Sequence, residues 1–237
     1  MIRRFIGLLC LLTLHCFAMP VVAQTSSATE PAPTSTVQDQ AIYCPTALEP
    51  ILPADYYACE ARAASGRQHY KHMVEMLQEA AYWANKDAQY VLGLAYFNGD
   101  TPEIPLNRPL GLAWLALSAE RKNPQYQIAY AAARIKSSPA EIRQATTKWQ
   151  RLRVKYGDSI AAPRAIRRFN HNIQPIDDAA REGGIVYLSG FSPFPQSAFA
   201  LANKLHDEAE ADFSTVHGTV VVGKPDWVQA KPVDIEK

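Results

Sequence analysis

The stretch from Asp87 to Asp100, DAQYVLGLAYFNGD, constrains the fold more than any other part of this 237-residue chain. Ala88, Leu92, Tyr96 and Gly99 recur at three- and four-residue steps, so they lie on one face of a helix. Gly93 and Ala95 put small side chains where an isolated amphipathic helix carries bulky ones, which predicts that a second helix approaches closely there. Gly99 then ends the helix, because glycine takes the left-handed conformation of a helix C-terminus without steric cost. The Pro-bearing loop GDTPEIPLNRP leads into LGLAWLALSAERKN, where Leu110, Ala113, Trp114 and Leu117 form the buried stripe. A short loop between two such helices predicts an antiparallel pair.

The pattern continues on both sides. MVEMLQEAAYWANK reads as the second helix of a preceding pair and ADYYACEARAASGR as its first. Downstream, Ser138-Pro139-Ala140-Glu141 is a helix start with a capping box and proline at the first position. Ile142, Ala145, Trp149, Leu152 and Tyr156 carry that helix along one face. The expected fold class is mainly α: stacked antiparallel helix pairs over residues 42–157, a short α-solenoid, with a connecting helix over 158–182. A small α/β segment over 183–225 follows, in the order strand, helix, strand. Ile185 to Leu188 and Thr219 to Val222 are β-branched runs bounded by glycines, and Gln196 to Asp212 between them has helical spacing. Residues 226–237 read as a loose tail.

At the N-terminus, Arg3 and Arg4 precede an apolar run from Phe5 to Phe17, and Val21-Val22-Ala23 supplies small residues before Gln24. This predicts a cleaved secretory signal peptide over 1–23 and an exported protein, periplasmic or secreted. A lipoprotein anchor needs a small residue before the modified cysteine, whereas Leu9 precedes Cys10 and His15 precedes Cys16. Residues 24–41 are Thr, Ser, Pro, Ala and Gln with almost no large apolar side chain, the composition of a disordered leader. Cys44 and Cys59 remain after cleavage; a disulfide is the simplest reading in an oxidising compartment, two unpaired buried thiols being the alternative. Loss of Arg3 and Arg4 leaves 22 basic against 23 acidic residues, which argues against a nucleic-acid partner.

The Asp87–Asp100 unit resembles the Sel1-like repeat, a relative of the tetratricopeptide repeat. Ala88, Leu92, Gly93, Tyr96 and Gly99 meet that family's spacing in full, Ala80-Ala81 stands ahead of Ala88-Gln89, and Ala84 occupies a position where the family prefers glycine. A second copy begins at Tyr126-Gln127, where Tyr130 and Ala131 replace Leu92 and Gly93. The resemblance implies a rigid groove that binds other proteins, as scaffolds, adaptors or regulators of envelope complexes do, without catalysis and without a cofactor.

Tyr90, Tyr126 and Tyr130 are the candidate docking residues on that groove, and Trp114 belongs to the core. Between residues 148 and 168 seven cations, including Arg151, Arg164, Arg167 and Arg168, stand against Asp158 alone. Such a patch suits an acidic envelope protein, an anionic glycan or a lipid head group; the alternative is a solvated face balanced by the acids of Asp207 to Asp212. Enzyme signals are weaker. YGDSI, around Ser159, resembles the opening block of Gly-Asp-Ser-Leu hydrolases but ends a basic helix instead of following a strand, and a helix N-cap by Asp158 or Ser159 explains it better. GFSPF lacks the second glycine of a nucleophile elbow. His69, His72 and Glu75 share a helix as a solvated polar face, so no metal site is expected. His217 reads as a turn residue. The two C-terminal strands pair with each other or accept a partner's strand. The expected function is therefore a non-catalytic interaction or scaffold module of the bacterial envelope, with a periplasmic toxin-neutralising inhibitor or a cell-wall hydrolase as alternatives.

Overall fold

A computed structural model describes residues 42–216. The expected signal peptide, the leader, His217, the run Thr219–Val222 and the tail lie outside the described residues.

The chain is mainly helical. After α1 (Leu48–Ile51), α2 (Pro53–Gly66) packs on α3 (Tyr70–Tyr82), and α4 (Lys86–Asn98) on α5 (Arg108–Ser118). A 3-10 turn at Ala119–Arg121 leads to α6 (Pro124–Ile135) and α7 (Pro139–Tyr156). Side-chain caps set the starts of four of these helices: Asn85 accepts from the Ala88 amide at 2.8 Å, Asn107 from Leu110 at 3.2 Å and Asn123 from Gln125 at 2.9 Å. Ser138 and Glu141 form the expected reciprocal capping box ahead of α7. Gly99 takes φ +68° and ends α4 as the sequence requires. Ala84 also has a positive φ, +72°.

The close approach expected at Gly93 has a second participant that the sequence did not suggest. A Cβ on Gly93 would lie 2.6 Å from Leu115 Cγ, and one on Gly111 would lie 2.4 Å from the Phe97 nitrogen and 2.7 Å from the Gly93 carbonyl oxygen. The backbones of α4 and α5 therefore touch at Gly93 and Gly111, and Leu92, Leu115 and Leu117 are fully buried around the crossing.

Residues 158–181 form one helix, α8 (Asp158–Arg181), and its role exceeds that of a connection. Ala161, Ala165, Ile166, Phe169, Ile173 and Ile176 along one face are buried against α1, Trp83 and α9 (Ala198–Phe213), giving a core distinct from that between the helix pairs. Within this core the buried His206 of α9 meets Asp177 of α8 at 3.0 Å and sits edge-on to Phe169. Two strands precede α9: β1 (Ile185–Val186) pairs antiparallel with β2 (Gln196–Ser197). Gln196 and Ser197, expected as the first residues of the helix, instead form β2, and Ser197 caps α9. Among the described residues the order is thus strand, strand, helix, and the strand expected at 219–222 lies outside them.

Cys44 and Cys59 form a disulfide. It closes a loop of 15 residues, for which chain-entropy reasoning gives about 3 kcal/mol of stabilisation. The entry segment it tethers is held again where the Tyr43 hydroxyl donates to the Gly190 carbonyl. No described helix is long and apolar enough to cross a membrane.

Candidate functional site

α6 and α7 both pack on α5 but scarcely touch each other, so a cleft of about 320 Å³ opens between them. Leu112 and Ala116 of α5 form its floor, Tyr130 of α6 one wall, and Ile142, Thr146 and Trp149 of α7 the other. The α7 residues follow from the helical register, since positions 142, 146 and 149 share a face. Arg153, one turn beyond Trp149, lays its guanidinium 4.7 Å from the indole. Arg134, one turn beyond Tyr130, is exposed at the α6 side. At the start of α5, Arg108 Nε donates to Glu141 of α7 at 2.8 Å while the guanidinium stacks on Phe97.

Two other cavities are lined mainly by polar and charged groups. The first lies beside a buried polar network that joins α4, the 3-10 turn and the α7–α8 junction. Lys86 Nζ donates to the Leu117 carbonyl at 2.9 Å, to Gln89 at 3.1 Å and to Glu120 at 2.8 Å, and lies 3.0 Å from Asp158. Arg121 grips Asp158 with two bonds, at 2.9 and 3.1 Å, and donates also to the carbonyls of Ala84 and Asp212. Gln89 Nε2 donates to the Tyr156 carbonyl at 2.9 Å. Asp158 does not cap α8, and neither does Ser159: the N-cap is Gly157, with no side-chain bond. The carboxylate of Asp158 is instead the shared counter-ion of Lys86 and Arg121.

The second cavity is bordered by carboxyl groups. Asp55 of α2 and Glu208 and Asp212 of α9 line it with Arg62 and Cys59. Burial, then the neighbouring Asp55, pushes the Asp212 carboxyl up to about 8, against Arg121. Burial and Glu208 raise Asp55 to about 6 against Arg62, and burial also raises Glu208. Folding therefore holds, up to pH ~6 and ~8, protons that the unfolded chain releases near pH ~4. The sign follows: the stability these carboxyls contribute is complete below pH ~4 and is lost as pH rises through about 6 and about 8, so stability should fall between pH ~5 and ~8.5. We expect a fall in melting temperature of at least about 3 °C across that interval, with Asp212→Asn flattening it, as thermal scans in a constant-ionic-strength buffer series will show. These acids face α2, so Glu208 and Asp212 do not balance the cations of α7.

The expected site residues separate into two groups. Tyr130 lines the cleft. Tyr126, expected at the edge of the buried stripe, is buried; its hydroxyl donates to Asp87 and its ring rests on Tyr90, 5.2 Å between centroids. Tyr90 and Tyr126 thus serve packing between α4 and α6. The basic patch also divides. Arg164 donates to the Tyr82 carbonyl at 2.7 Å with its guanidinium 3.5 Å from the Tyr82 ring centroid, and Arg168 donates to the Pro50 carbonyl at 2.9 Å, so both bind α8 to its neighbours. Arg151 and Arg167 are exposed, and by register Arg151 lies on the face of α7 opposite the cleft. Trp114 is in the core, edge-on to Tyr156. Ser159 is exposed and bonds to no histidine or carboxylate among the described residues. His72 pairs with Glu75 at 3.2 Å on an exposed face, and His69 precedes α3 as its N-cap. Among the described residues no three His, Cys, Asp or Glu side chains come together to hold a metal ion.

No family model, curated protein or solved structure matches the chain.

Proposed function

We propose that this protein is a non-catalytic binding or scaffold module of the bacterial envelope, built on Sel1-like helix pairs, and that it holds a partner protein in the cleft between α6 and α7. The observation that carries the reading is the cleft itself: an apolar floor, two aromatic walls at Tyr130 and Trp149, and flanking arginines, the residue types that dominate binding energy at protein interfaces. A volume of about 320 Å³ suits a few large side chains of a partner. The disulfide supports an oxidising compartment, in keeping with the signal peptide expected from Arg3 to Ala23. Ser159, alone in the first turn of α8, gives no support to catalysis at that position.

The test is an affinity purification from native envelope extract with the tagged mature protein, run beside Thr146→Trp. Thr146 is exposed on the cleft wall, so the larger side chain obstructs the opening without disturbing the core. The expected result is one protein retained in stoichiometric amount by the wild type and lost from a Thr146→Trp variant of unchanged melting temperature. Retention of the same protein by both, or retention of none, overturns the reading.

A further inference from the structure

We infer that the occupant of the α6–α7 cleft is an acidic amphipathic helix of the partner protein, with two or three large apolar side chains on one face and carboxylates along its flanks. This rests on the reading of the cleft as a docking site and adds the chemistry of what docks.

Charge gives the first part of the argument. From Lys122 to Gly157, the segment that contains both walls of the cleft, the chain carries eight lysines and arginines and one acid, Glu141. That acid is already spent, held by Arg108 and by the capping box with Ser138. Among the described residues no carboxylate pairs with Arg134, Arg143, Lys148 or Arg153. The whole chain has 24 basic against 23 acidic residues, so this excess is local and is not a property of the composition. An acidic ligand gains from it both in encounter rate and in specificity, and carboxylates meet arginine forks in paired hydrogen bonds.

The walls give the second part. Both are helices whose main-chain groups bond within the helix, and the cleft presents no sheet edge to an extended peptide. A segment entering it must satisfy its own backbone, as a helix does, and offer side chains alone. A helix with apolar residues at i, i+3 or i+4, and i+7 places its anchors over Leu112, Ala116 and Trp149 while its flanks meet Arg134 on one side and Arg153 on the other.

The test is fluorescence anisotropy with the full mature protein and four labelled probes: a helix-forming peptide with leucine and phenylalanine anchors flanked by glutamates, its lysine-flanked counterpart, a scrambled acidic peptide of the same composition, and phosphatidylglycerol vesicles. We expect micromolar affinity for the acidic amphipathic peptide, weakened at least about tenfold by Thr146→Trp, by Arg134→Glu with Arg153→Glu, and by raised salt. The lysine-flanked and scrambled peptides should bind at least about tenfold more weakly. Equal binding of the scrambled peptide, equal binding of the lysine-flanked peptide, or vesicle binding that ignores Thr146→Trp overturns the inference. If the envelope extract yields a cleft-dependent partner while the acidic peptide does not bind, the inference fails and the proposed function stands. If neither is seen, both fail.

Discussion

Gly111→Ala is expected to unfold the protein at or near physiological temperature. Its Cβ would fall 2.4 Å from the Phe97 nitrogen and 2.7 Å from the Gly93 carbonyl, both main chain, so no side-chain rotation relieves the overlap and α4 and α5 must separate. Separation opens the crossing around Leu92, Leu115 and Leu117, all fully buried, and we expect a cost of roughly 3 kcal/mol or more. Gly93→Ala should cost less, because its Cβ meets chiefly the side chain of Leu115, with the nearest main-chain atom, the Leu115 nitrogen, at 3.0 Å. Gly66→Ala, where an added Cβ meets nothing within 4 Å, should stabilise by up to about 1 kcal/mol through helix propensity. Chemical denaturation of the three variants checks the order; if Gly111→Ala is as stable as Gly66→Ala, the description of the α4–α5 crossing is wrong.

Asp158→Ala is the second large effect expected. Lys86 is almost fully buried, with a side-chain exposure of 5%, and Arg121 with 9%; the variant leaves both without their shared counter-ion. Removing one member of a buried ion network leaves uncompensated charge, at a cost of about 3 kcal/mol and a fall in melting temperature of roughly 6–12 °C. Lys86→Met in the same background should recover part of the loss, with a coupling of at least about 1 kcal/mol in a double-mutant cycle. Additive losses from the two single variants would contradict the network. Arg121 also donates to the carbonyls of Ala84 and Asp212, so the network ties the helix pairs to α9 as well.

The α4–α5 pair was legible in the sequence because helical spacing and a small residue on the contact face are both local signals, and Gly99 and the Ser138–Glu141 box mark boundaries by local hydrogen-bond chemistry. Gly111 was not legible, since the surrounding LGLAWL run reads as an apolar stripe with or without it and only the partner backbone shows what the glycine is for. Lys86, Arg121 and Asp158 are far apart in the chain, and each alone reads as a solvated charge. One signal pointed the other way: Lys86 opens α4 at the end where the helix dipole disfavours a cation, so it needed a partner elsewhere. β2 has two residues and therefore no alternation to recognise. The cleft was half visible. Ile142, Ala145 and Trp149 were placed on one face of α7 and Tyr130 on a docking surface, but local spacing carries no information that α6 stands away from α7.

The central claim, that the cleft is where this protein holds its partner, is tested most directly by site-specific photo-cross-linking in living cells. A photoreactive residue is introduced at position 130 or 146, on the cleft walls, and at position 182 beyond the end of α8, which is exposed and far from the cleft in sequence. We expect one protein adduct, the same from 130 and from 146, and none from 182. An adduct of equal yield from all three positions, or from 182 alone, would contradict the account.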